Sequence, residues 1–207
     1  MLQVRGASRC FGALTVFSDV TFDVELGTAC AIVGANGAGK STLLRCVVGA
    51  DHLDEGAILF DGEPVDESSP TFRAAVASVL DEPGFFPHLS VSEHIRLIAS
   101  AHGMPDASEV AEATLDNFGM SGAADQLPVT LSSGQRRRLA LASAFVRPRT
   151  TLVLDEPEQH LDAEGRARLA DTLNAEKAAG VTVLLVSHDP ELVDAVADFT
   201  IDGDSWR

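Results

Sequence analysis

The chain has 207 residues, 45% of them hydrophobic and 22% charged, and a net charge of −16. That length suits one well-packed domain, and a surface this acidic repels DNA, RNA and anionic lipid headgroups, which argues against a general nucleic-acid binder. Cys10, Cys30 and Cys46 include no CxxC pair, so neither a disulfide framework nor a zinc site is indicated and a reducing cytoplasm fits. No N-terminal signal peptide is visible, and no apolar run approaches the ~18 residues of a membrane helix. Any role at a membrane is therefore expected to come through a partner.

In chain order, Val20, Phe22, Val24 and Leu26 alternate with Thr21, Asp23 and Glu25, which predicts a half-buried strand ended by Gly27. Residues 28–33 form a short continuous apolar run, as in a strand covered on both faces. A glycine-rich loop follows, then a helix over 41–48 with Gly49 placed to end it. Residues 57–60 lead into Asp61-Gly62, a hairpin turn signal. Ser90 and Glu93 form a capping-box pair ahead of Ile95, Leu97 and Ile98. A second helix spans 108–118, closed by Gly119, and a third opens at Ser132 and runs to about Val146. Strand–helix alternation then resumes. A strand over 151–154 precedes a helix capped by Asp162 and ended near Gly180; a buried strand over 181–186 precedes a last helix with Asp189 and Pro190 at N-cap and N1. Parallel strands separated by helices mean an α/β sheet with helices on both faces. The helical stretch from Phe85 to Val146 interrupts it, with no linker to separate two domains.

Gly34-Ala35-Asn36-Gly37-Ala38-Gly39-Lys40-Ser41-Thr42 fits G-x-x-x-x-G-K-[ST]. Glycines let backbone N–H groups turn inward around phosphates, and the following helix directs its positive end at them. Lys40 is expected to reach the β- and γ-phosphates of ATP, and the Ser41 hydroxyl to hold Mg²⁺. In Leu152-Val153-Leu154-Asp155-Glu156 a buried strand delivers two carboxylates at its C-terminal end, where α/β sheets bind ligands. Asp155 is expected in the Mg²⁺ shell, and Glu156 is placed to polarise a water aimed at the γ-phosphorus. Ser132, Ser133 and Gly134 open a helix and offer hydroxyls and free N–H groups to an anion. Arg136, Arg137 and Arg138 then form a local positive patch on an acidic chain.

Leu131-Ser132-Ser133-Gly134-Gln135 resembles the signature of ATP-binding cassette (ABC) ATPases, usually LSGGQ. With the phosphate loop and Asp155-Glu156, the resemblance spans nearly the whole chain in the right order. It implies an α/β P-loop NTPase (RecA-like) core, over about 1–84 and 147–207, with an N-terminal antiparallel β subdomain and an inserted α-helical subdomain over about 85–146. It also implies that Ser132, Ser133, Gly134 and Gln135 face the γ-phosphate held by a second cassette, with a homodimer favoured over a heterodimer. His188 matches the switch histidine that contacts the γ-phosphate. Phe11 falls where the family stacks an aromatic on adenine; Phe17 is the rival ring, expected to pack in the core. The implied partner is a separately encoded transmembrane permease docking near residues 81–89, which puts the chain in the cytoplasm, peripheral at the inner face of the cell membrane. The alternative is an ABC-type ATPase acting on the ribosome or DNA. Such relatives usually carry tandem cassettes or a long coiled-coil insertion, and neither is seen. The short chain, by analogy, favours compact exporter-type systems.

Two segments depart from the family. After the catalytic acid, where T-S-A/G-L-D is common, stand Glu158-Gln159-His160-Leu161-Asp162. Where the family has a glutamine that touches Mg²⁺ stands Asp81, which can ligand the metal at least as well as an amide. Asp81→Ala is therefore expected to weaken Mg²⁺-dependent ATP turnover, while Asp81→Gln largely keeps it. Phosphate-release assays check this, and equal turnover of wild type and the alanine variant sinks the assignment.

Overall fold

The computed structural model describes residues 1–80 and 84–206. Strands β1 (Leu2–Phe11) and β2 (Leu14–Val24) form a hairpin, followed by β3 (Ala29–Val33) and helix α1 (Lys40–Val47). Strands β4 (Glu55–Phe60) and β5 (Glu63–Pro64) form a second hairpin, and α2 (Pro70–Ala75) leads into β6 (Val76–Val79). Three helices follow: α3 (Val91–Ala101), α4 (Ala107–Asn117) and α5 (Ser133–Phe145). The chain then alternates through β7 (Thr151–Asp155), α6 (Ala163–Ala178), β8 (Thr182–Val186), α7 (Pro190–Val196) and β9 (Phe199–Asp202).

The strands make two sheets. One is antiparallel in the order β2-β1-β4-β5, and the other is parallel in the order β6-β7-β8-β3-β9. In the parallel sheet, alternate residues feed two different cores. Ala29, Ala31, Leu152, Leu154, Val183 and Leu185 join the side packed with α3 to α7, whereas Cys30, Ile32, Val153, Leu184 and Val186 join the side packed with the antiparallel sheet and α1. Burial on both faces explains the unbroken apolar runs in β3, β7 and β8. It also explains the cysteines: burial pushes the Cys30 thiol up to about 12 and Cys46 up to about 11, leaving two inert small hydrophobes.

The local signals act as their chemistry requires. Asp61 and Gly62 both have positive φ, 51° and 85°, as a tight hairpin turn between β4 and β5 needs. Ser90 and Glu93 close the capping box of α3 reciprocally. Asp162 and Asp189 cap α6 and α7. The strand expected from Val20 to Leu26 instead runs Leu14–Val24, with Asp19 at positive φ in a stretch where the register to β1 shifts. Elements β1, α2, β6 and β9 lie outside the pattern-based expectation. Arg5, Gly6 and Ser8 interrupt the apolar alternation of β1, while α2, β6 and β9 are six residues or shorter. No helix among the described residues is long and apolar enough to cross a membrane.

His94, on α3, is buried against the rings of Phe85 and Phe86, with Nε2 3.3 Å from the Ser143 hydroxyl. Its Nδ1 is buried without a hydrogen-bond partner among the described residues. Burial holds the imidazole below the ordinary histidine value. The folded state therefore resists protonation that the unfolded chain accepts. Stability is full above the unfolded value of about 6.5 and is lost as pH falls from there toward the folded value. Urea denaturation at pH 7.5 and 5.5 is expected to show this loss in wild type and a smaller loss in His94→Leu; an equal loss in both would refute the role of His94.

Candidate active site

Three neighbouring strands of the parallel sheet end at one edge. The phosphate loop follows β3, Asp155 and Glu156 end β7, and His188 follows β8, which lies between them. Adjacent strands stand about 4.8 Å apart, so groups distant in sequence become neighbours without long loops.

The phosphate loop is built on left-handed glycines: Gly34 (φ 130°), Gly37 (φ 82°) and Gly39 (φ 96°). A Cβ on Gly39 would lie 2.9 Å from both Cγ1 and O of Val16, so the close approach of loop and strand β2 excludes a side chain. Lys40 is 5% exposed, and its ammonium donates to the carbonyls of Gly34 (2.8 Å) and Ala35 (2.9 Å). The loop and its lysine thus brace each other. Asn36, Gly37 and Ser41 are exposed, Thr42 is half-buried and Ala38 is buried. The Ala35 N–H is directed to the Asp204 carboxylate (2.9 and 3.1 Å), so this loop amide is engaged by its own chain.

Glu156 leaves β7 with φ 46°, while its N–H still donates to Val186 O on β8 (2.8 Å). Its carboxylate meets two groups. Oε1 lies 3.4 Å from His188 Nε2, and Oε2 accepts the side-chain amide of Gln159. Glu156 and His188 therefore form a contiguous acid–imidazole pair, 26% and 40% exposed. Asp155 is half-buried at the end of β7.

The signature segment caps itself. Ser132 Oγ accepts the Gln135 N–H and Gln135 Oε1 accepts the Ser132 N–H. Gly134 packs so closely that a Cβ there would lie 2.8 Å from His160 O. A cavity of about 290 Å³ separates this helix start from the end of β7; Ser133, Arg136, Glu156 and His160 line it, together with Leu80 and Phe85, and no residue of the phosphate loop does. The phosphate loop, Glu156 and His188 are thus brought to one edge of the sheet, and Ser133 faces Glu156 across the cavity. The run Arg136 to Arg138, expected as a local positive patch, is bound into its own chain, and Arg138 meets a carboxylate. Arg136 donates to Leu131 O, Arg138 pairs with Asp162, and Arg137 donates to the carbonyls of Asp155, Glu156 and Pro157. These guanidiniums serve acceptors of their own chain.

Phe11 ends β1, 52% exposed, with one face covered by the Arg9 guanidinium at 4.7 Å from its centroid. Phe17 is fully buried, edge-on to Trp206, and so belongs to the core. Asp81 lies outside the described residues. For Mg²⁺, the donor chemistry fits: the Ser41 hydroxyl and the Asp155 carboxylate are hard oxygen donors. Among the described residues no group of three or more His, Cys, Asp or Glu side chains could hold a metal alone. Mg²⁺ suits such a sparse set, because it typically takes one or two protein donors and fills its shell with phosphate oxygens and water. No sequence signal reveals the roles of Gln159 and Arg137 at the site, because their partners are made by the left-handed turn at Glu156.

A strand–loop–helix phosphate cradle with an acid ending the next strand but one of the same parallel sheet defines a phosphate-loop nucleotide-binding fold. The ABC transporter family model matches residues 17–159. The Fe(3+) ions import ATP-binding protein FbpC of Agrobacterium fabrum is 35% identical over 193 residues, covering 92% of this chain and 54% of that protein. The SkfA peptide export ATP-binding protein SkfE of Bacillus subtilis is 32% identical over 203 residues, covering 97% of this chain and 84% of that protein. A solved ATP-binding subunit of an ABC transporter superposes with TM-score 0.87 at 29% identity, covering 99% of this chain and 87% of that one. A dimeric post-hydrolysis ATP-binding cassette bound to ADP and Pi also gives TM-score 0.87, at 20% identity with 99% and 95% coverage, which shows the shared fold. The chain belongs to the ABC transporter family. It spans about half the length of several curated relatives it matches.

The Arg137 clamp generates a stability prediction. Arg137→Met leaves the carbonyls of Asp155, Glu156 and Pro157 without that donor, at an expected cost of about 2–4 kcal/mol. Urea denaturation checks it; a change under about 0.5 kcal/mol would show that the turn after β7 holds itself.

Proposed function

We propose that the chain binds ATP with Mg²⁺, hydrolyses it, and drives a membrane transporter by closing against a second cassette. The observation that carries this reading is the Glu156–His188 pair beside the Lys40 loop on adjacent strand ends. The exposed face of Phe11 would stack on adenine. The loop amides from Asn36 to Thr42 and the Lys40 ammonium would hold the phosphates, with Lys40 exchanging loop carbonyls for phosphate oxygens. Ser41 and Asp155, with Asp81, would hold Mg²⁺, which when bound supplies neutralising charge to the phosphate oxygens. Glu156 would accept a hydrogen bond from the attacking water and orient it in line with the γ-phosphorus. His188 Nε2 would steady Glu156 and the γ-phosphate.

Ser132, Ser133, Gly134 and Gln135 would complete the site of the opposite cassette in a head-to-tail dimer, a homodimer being the simpler assembly. A separately encoded permease would dock near residues 81–89, placing the chain in the cytoplasm at the inner face of the membrane. Relatives named for Fe(3+) ions and for a peptide share this cassette, so the choice of cargo rests with the permease. The net charge of −16 gives no support to a nucleic-acid partner.

Glu156→Gln is expected to bind ATP with near wild-type affinity, lose about 10²-fold or more of its turnover, and accumulate as an ATP-bound dimer in size-exclusion chromatography. Wild-type hydrolysis by this variant would overturn the assignment of Glu156.

A further inference from the structure

Glu158 carries a carboxylate into a place where carboxylates are costly. The residue is 9% exposed, two positions beyond Glu156. Oε1 accepts the Ser187 hydroxyl at 2.6 Å and the backbone N–H of His188 at 3.1 Å. Oε2 is buried with no hydrogen-bond partner among the described residues. A half-satisfied buried carboxylate is weak support for stability, since an apolar side chain of similar volume often does as well or better. What this carboxylate does provide is a fixed point beneath His188.

The bonds extend from that point in two directions. Ser187 is 1% exposed, and its hydroxyl oxygen accepts the Asp189 N–H at 3.0 Å. Asp189 in turn caps α7 through the N–H groups of Glu191 and Leu192. Toward β7, the Glu158 backbone belongs to the turn in which Gln159 N–H returns to Glu156 O at 3.0 Å and Leu161 N–H to Glu158 O at 3.1 Å. The neighbouring Gln159 amide reaches the Glu156 carboxylate itself. One short segment therefore fixes the backbone of the histidine through Glu158 and the side chain of the acid through Gln159.

We infer that Glu158 is a positioning residue for ATP hydrolysis, holding the His188 backbone so that its imidazole stays in reach of Glu156 and the γ-phosphate. This rests on the proposal that Glu156 and His188 serve hydrolysis. Removing the acceptor frees the Ser187–His188 segment to shift, and a displacement of about 1 Å at such a site can cost on the order of 10²-fold in rate. Substrate affinity, set by the phosphate loop, is left in place.

The test compares steady-state phosphate release, fluorescent ATP-analogue binding and thermal unfolding for Glu158→Ala, Glu158→Met and Glu158→Gln, each alone and on a His188→Ala background. Glu158→Ala and Glu158→Met are expected to lose about 10- to 100-fold in kcat with KM and nucleotide affinity within about threefold. Glu158→Met should do so without loss of melting temperature, so it decides the matter if the alanine variant fails to fold. Glu158→Gln, whose amide oxygen still accepts both bonds, should keep most of the rate. On the His188→Ala background each Glu158 substitution should cost less than about twofold more. Wild-type kcat in Glu158→Met, or an undiminished further loss on that background, overturns the inference. If Glu156→Gln and His188→Ala themselves retain turnover, the reading of the site fails instead.

Discussion

Arg137 reaches from α5 to the first turn after β7 and donates to three successive carbonyls, those of Asp155, Glu156 and Pro157. Glu156 sits in that turn at φ 46°, a left-handed conformation that costs a non-glycine residue about 1–3 kcal/mol. Hydrogen bonds from a charged donor contribute about 1.5–3 kcal/mol each, so the clamp is of the size needed to hold the turn. The turn sets the course of the next residues. It aims the Glu156 carboxylate at His188 and sends Glu158 back under the exit of β8. The helix that carries Arg137 also begins with Ser133 and Gly134, so the start of α5 and Glu156 are joined by one side chain.

The same arginine shows how an acidic chain handles its cations. Arg9 lies between Asp51 and Asp54, Arg149 pairs with Glu176, and Arg136 to Arg138 serve carbonyls or Asp162. The net charge of −16 opposes the approach of an anion such as ATP. That repulsion acts over about one Debye length, ~8 Å at physiological salt. Capture of phosphate must then rely on short-range donors: the glycine-shaped amides, the start of α1 and the single ammonium of Lys40. Rigid placement of these groups matters more here than it would on a basic surface.

What the sequence made legible was local. The phosphate loop, the carboxylates ending β7 and the caps at Ser90, Ser132, Asp162 and Asp189 are each written in a few consecutive residues, and each has its chemistry nearby. The resemblance added the family, and with it His188 and Phe11, which no short pattern reveals. The burial of Phe17 against Trp206 settles which ring is free. The partners of the three arginines were not legible, because a run of like charge looks the same whether its heads face water or backbone carbonyls. Gln159, Glu158 and Asp204 stayed illegible for a related reason. Each acts on a group brought near only by the left-handed turn at Glu156 or by the pairing of β3 with β9.

That pairing also explains how the phosphate loop keeps its shape. Strand β9 pairs in parallel with β3 and ends beside it, at Asp202 opposite Val33. The chain then tightens into a 3-10 turn, Gly203–Trp206, stitched by Asp202 to the Asp204 N–H and the Ser205 hydroxyl. From this turn Asp204 accepts the Ala35 N–H, Gly203 lies where any Cβ would stand 3.2 Å from Lys40 Cγ, and Trp206 meets Phe17 of β2. On the opposite side Val16 of β2 closes on Gly39. The loop is therefore gripped between the antiparallel sheet and the turn that follows the parallel one. Its left-handed glycines would be free to sample many shapes in isolation, and both layers remove that freedom before a phosphate arrives. The entropy of ordering the loop is charged to folding, and binding keeps more of its gain.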